Sequence, residues 1–339
     1  MKKKKLTSLD IAKELGISRS VVSFVLNGKS KEMRISDELT KKVLDFVEES
    51  NYQPNYMAQS LRTGKSNTIG LVVADISNPF FSKMARQVEI EIERTGYNVI
   101  FCSSEENEKQ FHSQIENLKN RQVDGLLLVP PINSISTLQD LTKEKLPFVI
   151  VDRVFEKLDV NSVIINNHKA AFEATMRLIK NGRKNIALIN VNNELTTMND
   201  RTKGYIDAIQ TSGSEVNQLL VKQLKFSNIE KDVREAIIEV VRNKADAILF
   251  TTNKLGITGI QTIHNMNIKV PEDIVIVSFD DTSAYAVAKT PITAIKQPID
   301  TMIKEAVRIL FKLIDAKETN IKTEKIVLDT RLIIRESCP

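Results

Sequence analysis

The sequence predicts an N-terminal all-α helix-turn-helix head joined to an α/β core of two doubly wound parallel-sheet lobes. Three observations predict it. The excess of positive charge is confined to residues 1–66, which hold 13 Lys/Arg against 8 Asp/Glu, while the rest of the 339-residue chain holds 35 of each. Two short stretches of helical periodicity follow one another across a turn at Gly16. From residue 67 onward, short β-branched runs alternate with longer amphipathic ones. A small basic unit on a large neutral one is an electrostatic footprint for a polyanion, with the larger unit serving another task.

Composition excludes several classes. With 42% hydrophobic residues the chain is not disordered, and at this length it can bury roughly 75% of its unfolded surface in two or three domains. Eleven Gly and nine Pro exclude collagen-like and low-complexity readings. No run of about 18 apolar residues could span a membrane. The lysines at 2–5 lack the apolar segment and small-residue cleavage site of a signal peptide, so the expected location is the cytoplasm. Cys102 and Cys338 are far apart, and His112, His168 and His264 form no ligand spacing. Neither a disulfide scaffold nor a metal site is therefore expected, nor any cofactor.

In the head, Thr7 or Ser8 can cap a first helix with Leu9, Ala12 and Leu15 as its apolar positions and Asp10 in its first turn. Gly16 stops it, because glycine accepts the left-handed conformation after a helix C-terminus. Ser18 has the chemistry to cap a second helix two residues later. On that helix Val21, Val22, Val25 and Leu26 form one stripe that must be buried. Ser20, Ser23, Phe24 and Asn27 lie opposite, with Arg19 at the helix start. Small polar groups and an N-terminal arginine suit a helix pressed into a major groove. Phe24 either packs on neighbouring side chains or meets an apolar surface such as thymine methyls. A third helix starts from the Ser36 cap and buries Leu39, Val43, Phe46 and Val47.

Residues 51–66 follow this head (residues 1–50) as a linker. Pro54 pre-sets a helix start and Gly64 ends it, leaving about two turns from Asn55 to Arg62. A helix that short does not hold together alone in water, so it forms only when something holds it. The run Thr63-Gly-Lys-Ser imitates the end of a phosphate-binding loop, but Gln59 stands where the first glycine belongs and no strand precedes it.

In the core, residues 67–339, strands are expected at 68–74, 98–103, 124–129 and 147–151, then at 185–190, 245–250 and 273–279. Strands alternating with helical stretches mean parallel sheets covered on both faces. Ligands of open α/β sheets bind beyond the carboxyl ends of the strands. The residues there are polar: Asp75 to Asn78, Asp152-Arg153, Asn190 to Asn193, Asn253 and Asp280-Asp281, with Asp200-Arg201 opening a helix. Carboxylates, amides and a few aromatics are what a neutral polyol needs, hydrogen bonds for its hydroxyls and ring faces for its C–H surface.

The runs Ile11-Ala-Lys-Glu-Leu-Gly-Ile-Ser, Val22-Ser-Phe-Val-Leu-Asn-Gly and Tyr52-Gln-Pro-Asn, with Ser60-Leu-Arg-Thr-Gly, resemble the lactose/galactose-repressor family of bacterial transcription regulators. Further on, Thr68-Ile-Gly-Leu-Val-Val-Ala-Asp, Val123-Asp-Gly-Leu, Asp152-Arg, Val270-Pro-Glu-Asp-Ile, Phe279-Asp-Asp and Ile295-Lys-Gln-Pro match its core in order. The resemblance implies a core like the periplasmic sugar-binding proteins. It implies a second helix that reads operator DNA, with Arg19, Ser20 and Phe24 as the base-reading residues, and Ser18, Ser23 and Asn27 are candidate DNA contacts beside them. It also implies a hinge helix at Asn55 whose Leu61 wedges into the minor groove. The effector contacts it implies are Arg201, Asp280 and Asn253, with Asn78, Phe80, Asp152 and Gln297. Three features depart from the family pattern. Phe24 replaces a frequent arginine, Lys29 to Arg34 is longer and more basic, and Lys254 stands where many relatives have an acid after the asparagine.

The family's chain crosses between lobes three times. The expected division is 67–165 with 293–320 in one lobe and 166–290 with 323–339 in the other, with the helix at 298–316 returning to the first. The resemblance also implies a homodimer on a near-palindromic duplex. The expected function is a sequence-specific transcriptional regulator, a repressor of carbohydrate-utilisation genes controlled by a sugar or sugar-derivative effector. Two rivals belong to other classes. A sugar-binding protein without a DNA function leaves the head unexplained. A sugar-processing enzyme needs an acid/base set that neighbouring Asp280 and Asp281 do not make.

Overall fold

The computed structural model describes residues 6–26, 28–50, 52, 64–155, 157–191, 195–225, 228–316 and 322–339. Residues 1–66 and 67–339 form two compact units. In the first, α1 (Ser8–Glu14), α2 (Arg19–Leu26) and α3 (Asp37–Glu49) surround Ile11, Ala12, Val22, Val25 and Val43. Thr7 caps α1 through Asp10, and Asp10 returns the bond to the Thr7 amide, so two orphan donors are satisfied reciprocally. Gly16 adopts φ 68° and lets the Ile17 amide close on Ala12 O at 2.9 Å. The expectation for α1 needs one correction. Leu9 is 48% exposed and Ile11 is buried in its place, packed with Val22 and Val25 of α2 in the core of the head. The proposed hinge helix, with Asn55 and Leu61, lies outside the described residues, as does Asn27.

The core unit holds two six-stranded sheets. The first is built from β1 (Thr68–Val73), β2 (Asn98–Ser103), β3 (Gly125–Leu128), β4 (Phe148–Val151), β5 (Ser162–Ile165) and β11 (Lys325–Leu328), in the order β11-β5-β4-β3-β1-β2. The second is built from β6 (Ile186–Val191), β7 (Val221–Leu224), β8 (Ala247–Phe250), β9 (Val275–Phe279), β10 (Thr293–Lys296) and β12 (Arg331–Ile333), in the order β12-β10-β9-β8-β6-β7. The ladders are parallel except β10 with β12. The order reverses beside β1 in one sheet and β6 in the other, as a doubly wound sheet requires.

Both faces of both sheets are covered, so the central strands are apolar throughout. Leu71, Leu127 and Val149 of the first sheet and Leu188, Leu249 and Val277 of the second belong to one continuous cluster. The alternate residues Val72, Leu126 and Ile150 face a second cluster, and Ala187, Ile248 and Ile276 a third. The covering helices are α4 (Pro79–Glu93), α5 (Glu108–Asn120) and α6 (Ile135–Glu144) on the first lobe, then α7 (Asn167–Lys180), α8 (Thr196–Thr211), α9 (Ile229–Arg242), α10 (Asn253–Asn265) and short α11 (Ser283–Ala286) on the second. The last helix, α12 (Ile299–Asp315), returns to the first lobe and packs on α4, β3 and β4.

Two of the expected lobe assignments are corrected. Residues 293–296 belong to the second sheet, where Thr293 to Ile295 pair with β9, and residues 325–328 belong to the first, where they pair with β5. The chain therefore crosses between β5 and α7, between β10 and α12, and between β11 and β12. Two of the crossings lie side by side: the Asn166 amide donates to Leu328 O at 2.9 Å, and Lys169 pairs with Asp329 at 2.7 Å.

Candidate functional site

The carboxyl ends of the two sheets face one cleft that is open to solvent. Each lobe sends an aspartate into it. Asp152 follows β4 and Asp280 follows β9, and both take a left-handed backbone, φ 70° and 65°. That conformation is unusual for a residue with a β-carbon and ends the strand abruptly, turning the side chain out of the sheet. Both aspartates are buried, and both line the cleft.

Arg201, on the first half of α8, lies between them and is 3% exposed. Its Nε donates to Asn167 Oδ1 at 2.8 Å, one Nη donates to Thr251 O, and its guanidinium lies 4.0 Å above the Phe279 ring. A buried guanidinium needs this many partners, and together they fix its plane. The Asp280 carboxylate accepts from Gln297 Nε2 at 2.7 Å and from the Asn253 amide at 3.3 Å. Asp152 has no such donors among the described residues, its nearest cation being Arg153 Nε at 3.9 Å. Burial pushes the Asp152 carboxyl up to about 6, against the pull of Arg153 and Arg201.

Among the described residues at least two hydrogen bonds join the lobes at the cleft, one of them from Thr196 Oγ1 of α8 to Val154 O just past β4 at 2.9 Å. Asn253 Nδ2, at the start of α10, donates to Asn78 Oδ1 at 2.7 Å, and the same oxygen caps α4 by accepting from the Phe80 amide. Phe80 is buried and meets Phe81 edge-on at 5.0 Å. The geometry thus brings Asn78, Phe80, Asp152, Arg201, Asn253, Asp280 and Gln297 to the cleft or against its lining.

Other strand-end residues do different work. Asn190 bonds Met198 O, Thr202 and Thr251 and so holds α8 in place, while Asp281 pairs with Arg335 at 2.8 Å. Asn192 and Asn193 lie outside the described residues. Lys254 is exposed and lines the cleft. Sequence reasoning missed Glu106, Asn167, Thr197 and Met198. Glu106 grips Arg153 through both oxygens, at 2.8 and 2.5 Å. It sits just past β2, so the strand-end rule that found Asp152 could have found it too.

In the head unit Ser18, Arg19 and Ser20 are exposed, whereas Ser23 and Phe24 are half-buried. Val22 and Val25 point the other way into the apolar core, so α2 presents its small polar face outward. Arg19 Nε donates to Ser8 Oγ at 3.1 Å, which ties the two helices and leaves both Nη groups to reach a ligand. The 29–34 stretch forms a turn, with Lys29 4.0 Å from Glu32. Among the described residues no three His, Cys, Asp or Glu could hold a metal ion, and no helix is long and apolar enough to cross a membrane.

Residues 7–55 match the family model "Bacterial regulatory proteins, lacI family", and residues 66–336 match "Periplasmic binding proteins and sugar binding domain of LacI family". The HTH-type transcriptional regulator DegA of Bacillus subtilis (strain 168) is 32% identical over 98% of this chain and 98% of its own. A ribose operon repressor of Halalkalibacterium halodurans is 30% identical over 98% of this chain and 96% of its own. Among solved structures, a transcriptional regulator CelR–cellobiose complex superposes with a TM-score of 0.72 at 25% identity, covering 98% of this chain and 100% of that one. Two matched models in tandem, on a head with an outward polar helix and a core with a polar interlobe cleft, place the molecule: the chain belongs to the LacI family of bacterial regulatory proteins and is a DNA-binding transcriptional regulator, not an enzyme.

Proposed function

We propose that this regulator is a cytoplasmic homodimeric repressor of carbohydrate-utilisation genes, released from or recruited to its operator by a sugar or sugar derivative bound between the lobes. The observation that carries the reading is the placing of Asp152 and Asp280 on opposite lobes around the fixed guanidinium of Arg201. A polyol between them donates hydroxyl hydrogen bonds to both carboxylates and accepts one from the guanidinium, so it binds best when the lobes are closed. Ligand then favours one lobe angle in proportion to its differential affinity for the two. The same angle sets the spacing of the two linkers of a dimer, and with it the fit of two heads to a two-fold duplex. That a ribose operon repressor and a cellobiose-bound regulator are among the similar proteins supports a sugar as the effector.

In the head, Arg19 and the polar face of α2 (Ser18, Ser20, Ser23, with Phe24 at its edge) read base edges, with Asn27, Asn55 and Leu61 completing the interface. Operator binding measured by fluorescence anisotropy, with and without a sugar panel, tests the whole reading. Arg19→Ala is expected to weaken operator binding by about 1–3 kcal/mol while affecting random duplex less. Equal loss on both would remove its reading role. Arg201→Ala is expected to leave operator affinity intact and abolish the response to the sugar. A surviving response would move the effector out of this cleft.

A further inference from the structure

The charge around the cleft is unequally available. Among the described residues four carboxylates line it, those of Asp75, Glu106, Asp152 and Asp280. Of the cations, Arg153 is 5% exposed and already committed: its two Nη groups meet both oxygens of Glu106, and one also donates to Pro130 O at 2.8 Å. Its remaining donor, Nε, is buried without a hydrogen-bond partner. A bidentate guanidinium–carboxylate pair occupies the fork that would otherwise receive a phosphate. Arg201 spends Nε on Asn167 and one Nη on Thr251 O, and it faces Asp152 and Asp280 together. Lys254 is exposed at the rim.

The hydrogen-bonding inventory leans the same way. On either side of Asp280, Gln297 Oε1 and Asn253 Oδ1 are buried carbonyl oxygens with no donor. Unmet buried acceptors are satisfied by a ligand rich in hydroxyl or N–H protons and are left unmet by an anion. Among the described residues the deep end of the cleft is thus richer in acceptors than in donors, and Arg201 is its one cation not already held in a bidentate ion pair.

We infer that Glu106, by holding Arg153 captive, makes the effector site selective for uncharged polyhydroxylated ligands and against phosphorylated or carboxylated ones. The inference rests on the cleft being the effector site. Its mechanism is electrostatic as well as steric. Arg201 faces Asp152 and Asp280 together, and Arg153, whose Nε lies 3.9 Å from Asp152, is already paired with Glu106, so a phosphate dianion meets net negative charge in a low-dielectric site. Glu106→Gln keeps the shape of the pair and removes its charge, which releases a full guanidinium charge into the cleft.

Isothermal titration of the full chain tests this with inorganic phosphate as the probe, and with ribose and ribose 5-phosphate as a matched pair. Wild type is expected to give no saturable binding of phosphate at millimolar concentration. Glu106→Gln is expected to bind phosphate at least tenfold more tightly, and the double variant Glu106→Gln/Arg153→Met to lose that gain. Phosphate binding by wild type, or no gain in Glu106→Gln, overturns the inference. A ribose 5-phosphate affinity equal to or above that of ribose in wild type does so as well. If Glu106→Gln fails to fold, the wild-type titration still decides. Discrimination against phosphate together with no sugar effect on operator binding would instead count against the regulatory reading and leave this one standing.

Discussion

Asp152 in the first lobe and Asp280 in the second leave their strands in the same way. Each has a left-handed φ, 70° and 65°, and each donates its amide to the neighbouring strand at 3.0 Å, to Val163 O and Ile295 O respectively. The strand orders around them correspond position by position, β4 with β9 and β5 with β10. Their carboxyls nonetheless meet opposite conditions. Asp280 is held by Gln297 and Asn253 before any ligand arrives, while Asp152 is buried beside Arg153 without a donor. One fold therefore supplies a fixed acceptor on one side of the cleft and a waiting one on the other. The backbone decides where the carboxylates stand, and the neighbours decide how ready each is to be used.

The lobes also differ in how their elements approach. In the second lobe, a β-carbon on Gly204 of α8 would lie 2.2 Å from His168 O of α7, and one on Gly259 would lie 2.2 Å from the Phe250 ring. At Gly204 helix α8 thus rests on α7 through backbone, whereas Gly259 rests on a side chain. In the first lobe the tight glycines are in strands, and a β-carbon on Gly70 would meet only the ends of Leu118 and Leu126 at 2.7 Å. The largest expected effect follows from this contrast. Gly204→Ala is expected to cost about 3 kcal/mol or more in urea unfolding, since a helix backbone cannot yield as a side-chain tip can. Because Arg201 lies one turn away on the same helix, effector affinity is expected to fall with it. A loss under about 1 kcal/mol would erase the distinction between the lobes.

The second effect is on the aspartates themselves. The folded-state value of Asp152, about 6, lies above its ordinary 3.8. A raised carboxyl means that the native state binds a proton more readily than the unfolded chain between those two values. This contribution to stability is present at low pH and is lost as pH rises through about 6. Asp152→Asn removes that dependence and is expected to make the ligand-free protein about 1–3 kcal/mol more stable than wild type at pH 7.5, with little difference at pH 4. Asp280→Asn is expected to destabilise by about 1 kcal/mol instead, because Gln297 and the Asn253 amide lose a charged acceptor. Chemical denaturation at three pH values checks both, and matching signs would break the comparison. Effector affinity in wild type is expected to drop as pH falls through about 6, where Asp152 gains a proton.

Much of this was legible in the sequence, for reasons that also explain what was not. The central strands are buried on both faces, and runs such as Ile69 to Val73 or Val275 to Phe279 leave no other reading. Lys325–Leu328 and Val221–Leu224 are edge strands, four residues long and half-exposed, so nothing in their apolar pattern separates them from loops. The exchange of 293–296 and 325–328 between lobes is a matter of which strand pairs with which, and no local pattern carries that. At the site, Asp152, Arg201 and Asp280 were visible because strand ends and helix starts are where such chemistry sits. The captive state of Arg153 was not visible, because Glu106 reaches it from 47 residues away, and Asn167 reaches Arg201 from 34.

The smallest expected effect concerns Gly70, and it tests whether the first lobe is as tolerant as its contacts imply. Two terms oppose each other when alanine replaces glycine in a strand. The unfolded chain loses conformational freedom, which favours folding by about 0.4–1 kcal/mol. The new methyl must push aside Leu118 Cδ1 and Leu126 Cδ2, both 2.7 Å from its position. Those are the free ends of side chains with other rotamers available, although Leu118 and Leu126 are each buried in the cluster under the sheet. The strain is then about 1–2 kcal/mol, at the mild end for overpacking. The net expectation for Gly70→Ala is a loss of about 1 kcal/mol or less in urea, with no change in effector affinity, since β1 ends before the cleft residues begin. A loss matching that of Gly204→Ala would mean that the first lobe is as rigidly fitted as the second, and that leucine tips in a fully covered sheet yield no more readily than helix backbone.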